Sequence, residues 1–331
     1  MKKILLLTTG GTLASSDSGE GFAPDMPPDE ILRHVPEIKS FCEVKAIQIL
    51  NIDSSNIQPE DWLLIMRTIR EHYDSFDGFV ITHGTDTMAY TASALSYLIQ
   101  NSSKPIVLTG SQKPIDQKDS DAQQNVFDAF WFCVHKQNTG VYLVFDGKAI
   151  IGTRASKVKT KSMDAFESIN YPVAASIHYP KAAVHFKKKT KKTEPVFYNS
   201  IKPGVFLLKL IPGIEPEILE YVGQYYDAIV IESYGMGGVP FADRRNFLKQ
   251  VRRLAVQGKI LAVATQVKME GSDLTVYEVG MKTLQSVALL QSRDMTIEAV
   301  VTKLMWILAQ TNDFKIVEKL FYTPVNDDIT L

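Results

Sequence analysis

The run Lys2-Lys3-Ile4-Leu5-Leu6-Leu7-Thr8-Thr9-Gly10-Gly11-Thr12 decides how this chain is read. Ile4 to Leu7 are apolar without alternation, the pattern of a strand covered on both faces inside a parallel sheet. Two threonines and two glycines follow at once. The chain must therefore leave the sheet in a tight turn whose backbone N–H groups can approach a neighbour closely. The charged start also looks like the head of a secretion signal, but the apolar run stops well short of the roughly 7 to 15 residues such a segment needs. A first strand is the expectation.

Working outward, residues 44–50 read as a second strand. Pro59-Glu60-Asp61 then opens a helix, with proline at its first position and acids at the positive end of the dipole. Trp62, Ile65, Met66 and Ile69 give that helix one apolar face. The alternation continues with strands at 78–82, 105–109 and 140–146 and helices at 88–100 and 122–135. After a lysine-rich stretch it resumes with strands at 205–210, 228–231 and 259–264. Helices are expected around 215–224, at 243–256, 296–310 and 313–321. Strands alternating with helices spell an α/β fold: a larger N-terminal parallel-sheet domain with helices on both faces, plus a smaller C-terminal α/β domain. The expected boundaries are 1–188, a linker at 189–204, and 205–331.

Composition narrows the function. At 331 residues, and about 150 per domain, two domains with real cores are available. Thirty-six basic and 37 acidic residues leave a net charge of -1, too little to gather nucleic acid or anionic lipid. The lysines at 187–192 lack interleaved aromatics and read as a solvated loop. No run approaches the roughly 18 apolar residues that span a bilayer. The two cysteines, Cys42 and Cys133, form no ligand motif and fit a reducing compartment. Neither a nucleic-acid nor a membrane partner is expected.

Ligands of open parallel sheets bind beyond the carboxyl ends of the strands. Three loops there combine glycine with hydroxyls: Thr9-Gly10-Gly11-Thr12, His83-Gly84-Thr85-Asp86-Thr87 and Thr109-Gly110-Ser111. Taken singly, each is ordinary turn chemistry. Together, with an acid beside them, they point to acyl transfer, since Thr can attack and backbone N–H groups can hold an oxyanion. Gly235-Met236-Gly237-Gly238 only approximates a nucleotide fingerprint, and no phosphate-loop motif is present.

Thr9-Gly10-Gly11-Thr12-Leu13-Ala14 with His83-Gly84-Thr85-Asp86-Thr87-Met88 resembles the paired signature of the L-asparaginase family. Asp53-Ser54-Ser55-Asn56, Thr109-Gly110-Ser111-Gln112, Gly152-Thr153-Arg154-Ala155-Ser156-Lys157 and Ser233-Tyr234-Gly235 are similar to its bacterial type I, cytoplasmic branch. The resemblance implies hydrolysis of L-asparagine to L-aspartate and ammonia through an ester on Thr12. Thr85, Asp86 and Lys157 would form the second catalytic group. Gly11 and Thr85 would offer N–H groups to the oxyanion, and Gly84 beside them would belong to the substrate-binding residues. Ser54 and Ser55 are matched to the substrate carboxylate, Asp86 to its ammonium, Asp53 to shaping that loop, and the Ser111 carbonyl to the leaving amide. It also implies no metal or organic cofactor, and a homodimer or dimer of dimers with its sites at the intimate contact. A broader asparaginase/glutaminase amidase and a catalytically silent small-molecule sensor are the alternatives.

Single residues read differently without that context. Lys157, among Arg154, Lys159 and Lys161, is by itself a solvated loop charge. Ser54 and Ser55 alone are a helix-start pair. His83 has no triad around it and is expected to be structural. One position departs from the family: where many asparaginases carry a tyrosine on the mobile loop after the first strand, Phe22 stands here. Phe22 can cover the site but cannot hydrogen-bond Thr12. Phe22→Ala is expected to impair turnover through lost closure; unchanged kinetic constants would remove Phe22 from the site.

Overall fold

The computed structural model describes residues 1–17, 22–24, 26–135, 138–179, 181–185, 194–276 and 288–330. The lysine run at 187–192, and with it the first few residues of the expected linker, lies outside them. The chain divides into two compact units, Met1–Asn199 and Ser200–Leu331.

The first unit is built on eight strands. In spatial order they are Lys181–Val184, Ala175–His178, Lys148–Ile151, Gly140–Phe145, Pro105–Thr109, Gly78–Thr82, Lys2–Gly10 and Cys42–Ile52. The last five are mutually parallel. Every residue of Gly78–Thr82 and Pro105–Thr109 is buried, as is Ile4 to Gly10. That double coverage explains why these strands read as unbroken apolar runs. On one face Ile4, Leu6, Val80 and Val107 join Val126, Ala129 and Phe130 of the helix Ala122–Cys133. Alternation places Leu5, Leu7, Phe79 and Ile81, also buried, on the other.

The parallel sheet is extended by an antiparallel edge that the alternation does not announce. Asp146-Gly147, both with positive φ (49° and 67°), reverses the chain between Gly140–Phe145 and Lys148–Ile151. This is Asp-Gly hairpin chemistry. The strands Ala175–His178 and Lys181–Val184 then add on antiparallel. A separate ribbon pairs Ala155–Lys157 with Phe166–Ser168, placing Lys157 opposite Phe166. The helix expected over 88–100 ends at Leu98 because Ile99–Gln100 turns to pair with Val196–Phe197, inside the stretch expected to be linker.

The second unit has a four-stranded parallel sheet, ordered Val205–Lys209, Ala228–Ser233, Ile260–Thr265 and Leu290–Gln291. The helix expected from Asp243 begins at Phe247. Asn246 caps it, its side chain accepting from the Lys249 N–H at 3.0 Å, and Asp243–Arg245 is a 3-10 turn. The C-terminal segment is pinned by a fully buried ion pair, Lys303 to Asp328 at 2.6 Å. Each ion is further satisfied by backbone, through the Thr323 carbonyl and the Val325 N–H. No helix among the described residues is long and apolar enough to cross a membrane.

One buried carboxyl in the first unit opposes the fold at neutral pH. Asp128 is buried in the helix Ala122–Cys133, with Gln124 Nε2 donating to it at 2.8 Å. Burial pushes its pKa up to about 6, against the Gln124 bond and the nearby His178. A carboxyl that holds its proton more tightly folded than unfolded makes the protein more stable as pH falls between those two values. Asp128→Asn is therefore expected to raise Tm at pH 8, with the gap to wild type closing as pH falls from about 6 to about 4. Thermal melts across that range test it; a variant less stable at pH 8 would contradict it.

Candidate active site

Four loops at the carboxyl ends of adjacent parallel strands carry the residues singled out from sequence, and they are locked to one another. A bulge in the pairing of Lys2–Gly10 with Cys42–Ile52 brings Gly10 level with Ile52. Gly10 (φ 98°) leaves no room for a side chain, since a Cβ would stand 2.6 Å from the Ile52 backbone. Gly11 (φ 80°) meets the next loop backbone to backbone, its Cβ position lying 2.4 Å from Gly84 Cα and N. Gly84 in turn faces Ser54, whose Cβ and Oγ lie 2.6 Å from where a Cβ would be. Thr9 Oγ1 donates to the Thr82 carbonyl at 2.9 Å and Thr87 Oγ1 to that of Ser54 at 2.7 Å. Glycine is required at 11 and 84 because two loops share that space.

Thr12 sits half-buried at the start of the 3-10 turn Thr12–Ala14, just past this contact. Thr85 is buried; its Oγ1 receives Lys157 Nζ at 2.7 Å and faces Gln112 Oε1 at 3.3 Å. The same Nζ reaches Asp86 Oδ1 at 2.6 Å. Asp86 is 65% exposed, and an ion pair so open to water contributes only about 0 to 1 kcal/mol to stability. Its consequence is positional: Lys157, only 17% exposed, is aimed at the Thr85 hydroxyl. The ribbon Ala155–Lys157/Phe166–Ser168 delivers that lysine from 72 positions away.

Two of the expected donors already have partners within the protein. The Gly11 N–H donates to the Ile52 carbonyl at 3.1 Å, so it is not free for an oxyanion. The Ser55 hydroxyl and N–H both donate to Asp53, at 2.6 and 2.8 Å, so its only hydroxyl proton is already used. Those bonds hold the Asp53 carboxyl below the usual range. Asp53 thus shapes its loop, capping the turn Ser54–Asn56, while buried Ser54 packs against Gly84. Ser111 is buried, its hydroxyl donating to the Lys113 carbonyl. Phe22 pairs with Asp17 in a short backbone ladder, and its side chain lies outside the described residues.

His83 is fully buried. Its Nδ1 is 2.7 Å from the Gly84 carbonyl and its Nε2 2.9 Å from Thr91 Oγ1, which accepts from Trp62 Nε1 at 3.0 Å. A carbonyl can only accept, so Nδ1 carries the proton, and Nε2 accepts from Thr91. Burial lowers the His83 pKa to about 4, leaving it neutral at pH 7 with both nitrogens occupied. It holds the Gly84 turn from below. Trp62, Thr91 and Gln112 carry no site assignment from sequence; they join the site through partners 27 to 29 positions away, which no local pattern reveals. Among the described residues no cluster of three or more His, Cys, Asp or Glu is placed to hold a metal ion.

Gly11→Ala forces a side chain into the Gly84 backbone and separates the two loops. A misplacement of about 1 Å costs on the order of a hundredfold, so kcat/KM on an amide substrate is expected to fall at least that far. Wild-type kinetics in that variant would show that the contact does not set the site.

Comparison with known proteins agrees over the whole length. Residues 3–192 match the family described as Asparaginase, N-terminal, and residues 204–321 the Glutaminase/Asparaginase C-terminal domain. The chain is 41% identical to the L-asparaginase of Thermococcus kodakarensis over 99% of both chains, and superposes on the structure of the thermostable enzyme from that organism with a TM-score of 0.94. It is 31% identical to L-asparaginase 1 of Escherichia coli K12, over 99% of this chain and 98% of that protein. It is 32% identical to a glutamyl-tRNA(Gln) amidotransferase component from Pyrococcus abyssi, over all of this chain and 77% of that one. The chain belongs to the asparaginase family and is an amide hydrolase.

Proposed function

We propose that the chain is a type I cytoplasmic L-asparaginase, hydrolysing L-asparagine to L-aspartate and ammonia through an ester on Thr12. The observation that carries this reading is the Lys157 ammonium on Thr85 Oγ1 and Asp86, in the loop whose Gly84 abuts Gly11, the residue before Thr12. Thr12 Oγ1 attacks the side-chain carbonyl carbon. The C–N bond then breaks, the nitrogen takes the proton that the Thr12 hydroxyl gave up, and ammonia leaves. Water, held by a hydrogen bond on the Thr85 side of the site, attacks the ester carbon in the second half, and its proton passes to the Thr12 oxygen as aspartate departs.

Because the Gly11 N–H is engaged, the developing oxyanion falls to the N–H groups of Thr12 and Thr85. Thr12 opens a 3-10 turn, where first-turn N–H groups have no intrahelical acceptor. Asp86, open to solvent beside Lys157, takes the substrate ammonium, and the residues matched to its carboxylate, Ser54 and Ser55, stand in the turn that Asp53 caps. No step uses a metal or organic cofactor. A homodimer or dimer of dimers completes the proposal.

Ammonia release from L-asparagine, with L-glutamine as comparator, tests the reading. Release is expected from asparagine, to be abolished in Thr12→Ala, and to fall about 10² to 10⁴-fold in Lys157→Met. Equal kcat/KM for both amides would make the chain a broader asparaginase/glutaminase. Binding of asparagine without ammonia release would make it a sensor.

A further inference from the structure

We infer that Gln112 is a positioning residue that fixes the direction in which the Thr85 hydroxyl points its proton. The inference rests on the proposed role of Thr85 in turnover. It begins with the orientation of the Gln112 amide. Gln112 Nε2 lies 3.1 Å from the Ser162 carbonyl oxygen, which can only accept, so the NH₂ group must face Ser162. That turns Oε1 towards Thr85, 3.3 Å away. An amide oxygen also only accepts, so the Thr85 O–H donates to it. Lys157 Nζ, which has only donors, takes a lone pair of the same Thr85 oxygen at 2.7 Å. The rotor is thereby set, with the proton towards Gln112, one lone pair on Lys157, and the second lone pair without a partner among the described residues.

The open lone pair is what the second half of the reaction needs, since an attacking water must hand its hydrogen bond to an acceptor. Without Gln112 the Thr85 proton can turn into that direction and repel the water.

Gln112 is itself braced. Its N–H lies 2.9 and 3.1 Å from the two Asp121 carboxylate oxygens, and the Lys113 N–H converges on the same group at 3.1 Å. Asn125 Nδ2 ties Asp121 to the Gly110 carbonyl, at 3.1 and 3.0 Å. Ser162 lies between the two strands of the ribbon that carries Lys157. The Gln112 side chain thus spans the Thr85 loop and the connection within the Lys157 ribbon, and its backbone N–H ties both to Asp121 at the start of the helix Ala122–Cys133.

The experiment measures kcat and KM for L-asparagine in Gln112→Met, Thr85→Val and the double variant, with melting temperatures alongside. Gln112→Met, close in size but with no donor and only a weak sulfur acceptor, is expected to lower kcat about tenfold with KM changed less than about threefold. In the Thr85→Val background it is expected to add less than about twofold, because the hydroxyl it orients is gone. A wild-type kcat in Gln112→Met, or losses that multiply in the double variant, would overturn the inference while leaving the Thr85 reading intact. Wild-type turnover in Thr85→Val alone would overturn both, and would locate the failure in the reading of Thr85. Gln112→Glu guards against misfolding of the methionine variant. Its carboxylate still accepts from the Thr85 hydroxyl, so its kcat is expected to lie well above that of Gln112→Met. A kcat no higher than that of the methionine variant would count against the inference.

Discussion

The site depends on one contact between two backbones. Gly11 and Gly84 close on each other with no space for a methyl group between them. Everything around the pair serves that approach. The bulge opposite Ile52 turns the first loop inward, the Thr9 hydroxyl ties it to the end of the neighbouring strand, and the chain from Trp62 through Thr91 to His83 supports the second loop from the interior. All of these groups are buried or paired, so they retain their geometry in a way that a solvated loop does not. Catalysis of an amide, whose carbonyl must meet nucleophile and donors within a few tenths of an ångström, depends on that rigidity.

Charge in the site follows a different rule. The groups that hold the loops are neutral or already hydrogen-bonded: His83 is a neutral imidazole, and Asp53 is spent on Ser55. The charges left to act, Lys157 and Asp86, sit at the edge where Asp86 meets solvent. Burying an unpaired charge costs several kcal/mol, so a site that must desolvate a zwitterion gains by holding its ions already paired. The same economy appears in the second unit, where buried Lys303 and Asp328 are fully satisfied.

The sequence makes legible what depends on local pattern. Strands covered on both faces, such as Gly78–Thr82, appear as apolar runs, and the glycine-threonine turns that follow them mark the carboxyl edge of the sheet. Features decided by distant partners are not legible. The helix beginning at Met88 stops at Leu98 because Val196–Phe197 pairs with the residues after it. Lys157 looks like one of several loop lysines until its ribbon is paired with Phe166–Ser168. The engagement of the Gly11 N–H by Ile52 follows from a register shift that periodicity cannot encode. Gln112 reads only as part of a turn, since its partners Thr85 and Ser162 lie 27 and 50 positions away.

The proposed function turns on Thr12 as the attacking group. Mixing the protein with L-asparagine, quenching in acid within milliseconds to seconds, and mapping the peptides by mass spectrometry tests it most directly. An aspartyl ester on the peptide bearing Thr12, absent without substrate, is the predicted result. An ester on Thr85, or ammonia release with no ester on any residue, would contradict it.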